Sequence, residues 1–401
     1  MPPMVPRFFS AFAMVIFAIG QIYLVPKVVD VSDGLDFRLV WLAGDLWNNG
    51  INPYSDRFNQ EYLQRFGLGP QSHFWVYPPS FQPLAGFLAR LDFVHALQVW
   101  NILNFCFLHL ASLLVARTIT SAESADVLSV YLIIVGLASM MQATAVAISI
   151  GQTSFLVYLG IALLIYGYRT RQVVYVAAAL TIVGLKPSVG IVLFCAVFAS
   201  AHLRCAIIPA VMMHALLVMV SAAQMGLMAD MIGFFGAVSS YATEGGPANA
   251  AENLIGLVQI ANLFGLYLNG TILLLVACGT AFLIGWWAPD WALLTISLVC
   301  IIGLLVVPLH SYDLTFTVIV VAPTLCARFF PRSFFLLMGF VLLFRAENLA
   351  RVTGITNPDG HIFPGSLIET IGLLILAIAT YACWFGAERL DGDPKSKVSR
   401  S

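Results

Sequence analysis

DVSDGLDFRLVWLAGDLWNNGINPYSDRFNQEYLQRFGLGPQSHFWVYPPSFQP, residues 30–83, is the one long polar interruption in a chain otherwise composed for lipid. It gathers Asp30, Asp33, Asp36, Asp45, Asp56, Glu61, Arg38, Arg57 and Arg65, a density of charge that nothing after it repeats. Around it, 60% of the 401 residues are hydrophobic and only 10% are charged, with a mean hydropathy of +0.91. A soluble domain of that composition would have to expose large apolar patches. The expectation is therefore an all-α polytopic membrane protein whose function is sited in and around residues 30–83.

A transmembrane helix needs about 20 apolar residues, fewer where it is broken inside protein. That window predicts about twelve spans, near 8–28, 94–117, 126–148, 152–168, 173–186, 187–203, 205–228, 269–287, 291–308, 312–328, 333–350 and 366–386. The first stretch, Phe8 to Val25, has a thin basic flank and no small-residue cleavage signal, so it reads as a retained anchor. Lys and Arg near span ends stay cytoplasmic. Arg7, Arg117, Arg169, Arg171, Arg204, Arg328, Arg332 and Arg389 share one side if the number of spans is even, which puts both termini in the cytoplasm. Residues 30–83, a second loop at 230–268, Lys186 and the turn His310 to Asp313 then face outward. Residues 1–386 form one integral-membrane domain, and 387–401 a short cytoplasmic tail.

Within the first loop, Phe37, Val40, Trp41, Gly44 and Trp47 recur at helical spacing, and Asn52-Pro53-Tyr54 is expected to start a second short helix reaching Phe66. Both read as external amphipathic helices at the membrane surface, with Trp41, Trp47, Tyr54, Tyr62 and Trp75 as an interfacial belt. The cluster Gly67, Gly69, Pro70 ends the second, and Tyr77-Pro78-Pro79 forces an extended return to the bilayer. In the second outer loop, Glu244-Gly245-Gly246-Pro247 reads as a turn. Segment 173–186 is too short to cross alone and Pro187 removes a helix donor, so Lys186 is expected at a break between two short helices.

Net charge is −1 with no basic run, which excludes a nucleic-acid footprint. The seven cysteines lie in or beside apolar segments with no CxxC pair and no metal-ligand spacing, so they read as small core residues.

In order along the chain stand G-L-D-F (Gly34 to Phe37), G-I-N-P-Y (Gly50 to Tyr54), V-Y-P-P (Val76 to Pro79), I-G-Q-T-S (Ile150 to Ser154), G-L-K-P (Gly184 to Pro187) and L-H-S-Y-D (Leu309 to Asp313). Their order and spacing against the spans resemble glycosyltransferase family 87, the polyprenyl-phosphate-mannose-dependent alpha-1,2-mannosyltransferases. The resemblance runs from Phe8 to about Arg328, and beyond that only hydropathy matches. It implies the C-type membrane glycosyltransferase fold and a lipid-linked sugar donor arriving sideways from the bilayer. It also implies that the acidic residue of the first external loop is the catalytic base, a position matched by Asp36.

The residues themselves fit such chemistry. An inverting single displacement needs one carboxylate to take the acceptor hydroxyl's proton, and general-base help is worth roughly 10²–10⁴ in rate. Asp36 lies about two turns past the first span, near the height of a lipid phosphate. Aspartate is equally a favoured N-cap, so Asp36 can instead cap the helix starting at Phe37, and Asp33 can do either job. Lys186, an intramembrane charge that costs at least about 2.5 to 3.5 kcal/mol, would hold the donor phosphate, or else snorkel to the interface. His310, Tyr312 and Asp313 follow an apolar span and would contact phosphate or sugar. Gln152 would bond sugar hydroxyls or a neighbouring helix, and Tyr77 would line the sugar pocket or anchor at the interface. Arg38 joins these as a substrate-binding residue. No carboxylate pair has metal-ligand spacing outside the tail, so neither metal nor cofactor is expected. The partners expected are a polyprenyl-phosphate sugar donor, a glycan or glycolipid acceptor and the inner-membrane bilayer, with the protein a monomer. The competing class is a transporter or flippase for a lipid-linked sugar, which also centres on broken helices and buried charge.

Overall fold

The computed structural model describes residues 4–67, 75–120, 127–244, 254–287, 292–326, 332–353 and 364–391. Gly69 and Pro70, the turn from Gly245 to Pro247, Arg328 and the tail from Gly392 lie outside them. In chain order the helices are α1 (Met4–Val29), α2 (Leu35–Asn48), α3 (Arg57–Phe66), α4 (Gln82–Leu88), α5 (Phe93–Ile119), α6 (Val127–Met140) and α7 (Gln142–Ser149). There follow α8 (Ser154–Thr170), α9 (Val173–Gly184), α10 (Pro187–Ala199), α11 (Ile207–Met225), α12 (Leu227–Glu244) and α13 (Leu257–Leu263). The last are α14 (Gly270–Trp287), α15 (Ala292–Val306), α16 (Thr317–Cys326), α17 (Arg332–Phe344), α18 (Ala346–Thr353) and α19 (Pro364–Asp391). The β-structure described is a two-residue antiparallel ladder in which Leu254 faces His310 and Ile255 faces Leu309.

Among the described residues, five helical stretches are long and apolar enough to cross a membrane: Ser10–Val29, Phe93–Ile119, Arg204–Met225, Gly270–Trp287 and Gly365–Cys383. The segment expected as one span at 126–148 is instead two helices, α6 and α7, bent by 68° at Met141. Counted together they make a sixth crossing. The remaining expected spans are apolar helices of 10–17 residues. At 1.5 Å per residue, α9 and α10 reach only about 18 and 20 Å, short of a hydrocarbon core of about 30 Å. Helix length alone therefore carries about half of the twelve spans expected.

Close backbone approach holds the helices together. A Cβ on Gly20 of α1 would stand 2.6 Å from the carbonyl oxygen of Gly136 in α6, so the two chains meet where both lack a side chain. Lipid-like faces remain outside, with Ile208, Met212 and Leu216 of α11 all exposed.

The first loop has its own core. Phe37, Val40 and Leu46 of α2 are buried against Phe58 and Tyr62 of α3, Phe81 and Trp100. Trp47, Tyr62 and Trp75 are at most 9% exposed, so the expected interfacial belt is largely an internal aromatic core. The second helix also starts later than expected, at Arg57. The Asn52 carboxamide Oδ1 accepts the Tyr54 backbone N–H at 2.8 Å, and this side-chain turn competes with helix over 52–55. Gly67, in the left-handed region at φ 65°, ends α3.

Candidate active site

The start of α2 is tied to the end of α7 rather than capped by its own side chains. Gly34 N donates to Ser149 O at 2.9 Å, and the backbone N–H groups of Asp36 and Phe37 both donate to Ile150 O at 2.9 and 3.0 Å. The capping position is Gly34, which makes no side-chain cap bond, and Asp36 sits inside the first turn. The capping reading of Asp36 therefore fails, and its carboxylate is left for other work. Nor do Asp30 or Ser32 cap α2: Asp30 Oδ1 accepts the Ser32 N–H at 3.0 Å.

Gly151 is the hinge of this junction. Its φ is +70°, and an added Cβ would lie 2.5 Å from Phe37 Cβ. Its carbonyl accepts Trp100 Nε1 at 2.9 Å, and the Gln152 carbonyl accepts Asn104 Nδ2 at 3.2 Å, so α5 fixes the strap from behind. Gln152, 5% exposed, then donates its amide Nε2 to Asp36 Oδ2, while its Oε1 accepts the Thr153 N–H at 2.9 Å. The Thr153 and Tyr77 hydroxyls share a hydrogen bond at 3.0 Å, and the Tyr54 hydroxyl donates to the Tyr77 carbonyl at 2.7 Å.

One residue further on, Ser154 Oγ donates to Asp313 Oδ1 at 2.8 Å. Asp313, 1% exposed, forms an ion pair with Lys186, whose side chain is 13% exposed. Lys186 does stand at a break, between α9 and the Pro187 start of α10. Its Nζ also lies 5.3 Å from the Tyr312 ring centroid, and Tyr312 stacks on His310 with centroids 5.0 Å apart. The ladder to Leu254 and a 2.6 Å bond from Ser311 Oγ to Glu369 Oε2 hold this loop in place.

Burial pushes the Asp36 carboxyl up to about 6, opposed by the Gln152 donor and the Lys186 charge, and reinforced by Asp313 and Asp33. Asp36 and the Lys186–Asp313 pair therefore act on each other electrostatically. Asp36, Tyr77, Lys186, His310 and Tyr312 are partly accessible, whereas Gln152, Thr153, Ser154 and Asp313, which link them, are buried.

Three sequence-named residues find partners here. Gln152 donates to Asp36 and accepts from Thr153, so it positions the carboxylate. Asp313 takes Lys186 and Ser154 on its Oδ1. Arg38 donates to Asp33 O at 3.1 Å and lies over the Phe66 ring at 5.4 Å, so it contacts the first loop and not the Lys186 cluster. Sequence reasoning missed Thr153, Ser154 and Tyr54. The signal was at hand in I-G-Q-T-S, a run of side-chain hydroxyls just where α8 begins, but no pattern announces that Ser154 meets Asp313. Among the described residues no three His, Cys, Asp or Glu side chains gather as metal ligands do.

The fold and this site together define a class: an all-α membrane protein whose polar groups converge where its helices break. No model of a known family matches the chain, and no curated protein matches it.

Proposed function

We propose that the chain is a membrane glycosyltransferase that moves a sugar, with mannose the first candidate, from a polyprenyl phosphate to a hydroxyl of a glycan or glycolipid. The observation that carries this is the strap 150–154, which bonds Asp36 through Gln152 at one end and the Lys186–Asp313 pair through Ser154 at the other, with burial raising the Asp36 carboxyl to about 6. A base with that value is about nine-tenths ionised at pH 7 yet far more basic than an ordinary carboxylate. The acceptor oxygen attacks the anomeric carbon as its proton passes to Asp36, and the bond from that carbon to the phosphate oxygen breaks on the opposite face. Polyprenyl phosphate leaves with the bonding electrons, and the anomeric configuration inverts. Lys186 holds the phosphate oxygens, with Asp313 and Ser154 fixing its ammonium and Tyr312 lying alongside. The motif order resembles glycosyltransferase family 87, and the same reading extends to about twelve crossings, cytoplasmic termini and an outward-facing site in the cell inner membrane.

A transporter of a lipid-linked sugar is the second reading, favoured by the 68° bend at Met141 and the break at Lys186. Purified protein in detergent, where no gradient exists, separates the two. A glycosyltransferase moves labelled sugar from a panel of polyprenyl-phosphate sugars to an acceptor there. A transporter transfers none.

A further inference from the structure

A cavity of about 200 Å³ lies between the turn after α2, the start of α3 and α12. None of the candidate catalytic residues lines it. One wall is α12, where Gly233, Gly236, Ala237 and Ser240 face it at helical spacing. A Cβ on Gly236 would meet nothing within 4 Å, so the space is open there, whereas one on Gly233 would stand 2.8 Å from Tyr54 Cβ, where the two walls meet. The facing wall carries Tyr54, Ser55, Asp56, Phe58, Asn59 and Trp75.

That lining is mixed. Asp56 and Asn59 are exposed on the first turn of α3, and Asp56 makes no capping bond there. They offer a carboxylate and a carboxamide side by side, the set that grips neighbouring hydroxyls, since one only accepts and the other both donates and accepts. The aromatic rings give the apolar surface on which the C–H face of a sugar packs. Behind them the Trp75 side chain hydrogen-bonds the Tyr54 hydroxyl, and Asp230 Oδ2 accepts the Ser221 hydroxyl at 2.7 Å, so this wall is fixed by polar contacts. With Asp56, Asn59, Ser55 and Ser240 in the lining, the space suits a polar molecule rather than an acyl chain. The volume falls below the roughly 300–1,000 Å³ of pockets that take drug-sized ligands, and suits about one ring.

Tyr54 connects the two sites. Its ring lines the cavity while its hydroxyl donates to the Tyr77 carbonyl, and Tyr77 leads through Thr153 and Gln152 to Asp36.

We infer that this cavity binds one pyranose ring of the acceptor glycan, and so sets which acceptor hydroxyl is presented to Asp36. The assignment of the ring to an acceptor rests on the glycosyltransferase reading, whereas sugar binding itself does not.

The test measures binding and transfer separately on the full-length protein in detergent. Binding of the methyl glycosides of mannose, glucose and galactose is followed by tryptophan fluorescence, in wild type, Asn59→Ala, Asp56→Asn and Gly236→Phe. The surface variants Asn59→Ala and Asp56→Asn lose only side-chain bonds, which keeps the test open if Gly236→Phe fails to fold. Saturable binding of at least one glycoside, weakened about tenfold in the α3 variants and lost in Gly236→Phe, is expected. In transfer assays the same variants should raise the acceptor KM and leave the donor KM unchanged. No glycoside binding by the wild type, or binding and acceptor KM indifferent to all three substitutions, overturns the inference, even if transfer is robust. Displacement of the signal by detergent or free acyl chains alone also overturns it. Sugar binding that depends on Asn59, in a protein that transfers nothing, would keep the cavity and remove the glycosyltransferase reading.

Discussion

Replacing Lys186 by Met should cost stability in a way that a second substitution reverses. Asp313 is 1% exposed, and Lys186 is its ion-pair partner, with Ser154 Oγ donating at 2.8 Å as well. Methionine matches the lysine stem but leaves Asp313 a buried charge without a counter-ion, a loss that typically costs about 3–5 kcal/mol. Lys186→Met combined with Asp313→Asn removes both charges and should recover most of the loss, because Ser154 can still donate to the amide oxygen. Thermal unfolding in detergent at pH 7, followed by intrinsic fluorescence, reads all of this. A single variant as stable as wild type at pH 7, or a double variant no better than the single, would refute a buried Lys186–Asp313 pair.

Other outcomes follow from the same geometry. The acid limb of kcat/KM should fall near pH 6, because Asp36 must be ionised to accept a proton, and Gln152→Leu should move it to higher pH by removing a donor that favours the carboxylate; an unmoved limb would show that Asp36 is not the titrating base. Gly151→Ala should lower the unfolding temperature and cut transfer together, since its φ of +70° and the 2.5 Å clash with Phe37 Cβ both displace the α2 start; wild-type behaviour would mean the junction is loose. Gly44→Ala should destabilise by more than about 1 kcal/mol, because its Cβ would lie 2.1 Å from the Ala85 carbonyl oxygen where α2 meets α4, and unfolding temperature measures it directly.

Much of the site was legible in the sequence because polar residues are conspicuous against lipid-like composition. Lys186 before Pro187 announced its own helix break, and Leu309 to Asp313 announced a polar loop after an apolar span. What the sequence hid is pairing. Asp36 and Gln152, 116 positions apart, are neighbours only because Gly34, Asp36 and Phe37 donate to the carbonyls of Ser149 and Ile150. Capping looked as plausible as catalysis until that backbone junction showed the α2 start already satisfied. Hydropathy likewise missed the Met141 bend, since residues 127–148 carry no proline and no charge to mark it, and it read Trp47, Tyr62 and Trp75 as surface anchors when they fill a small core instead.

The most direct test is Asp36→Asn in purified protein, with donor binding and sugar transfer measured side by side. The amide keeps the shape and can still accept from Gln152, and it removes a carboxylate whose charge burial disfavours, so the variant should be at least as stable as wild type at pH 7. The account predicts unchanged affinity for a polyprenyl-phosphate sugar with transfer reduced at least about a hundredfold. Transfer at the wild-type rate by a folded Asp36→Asn protein would contradict it.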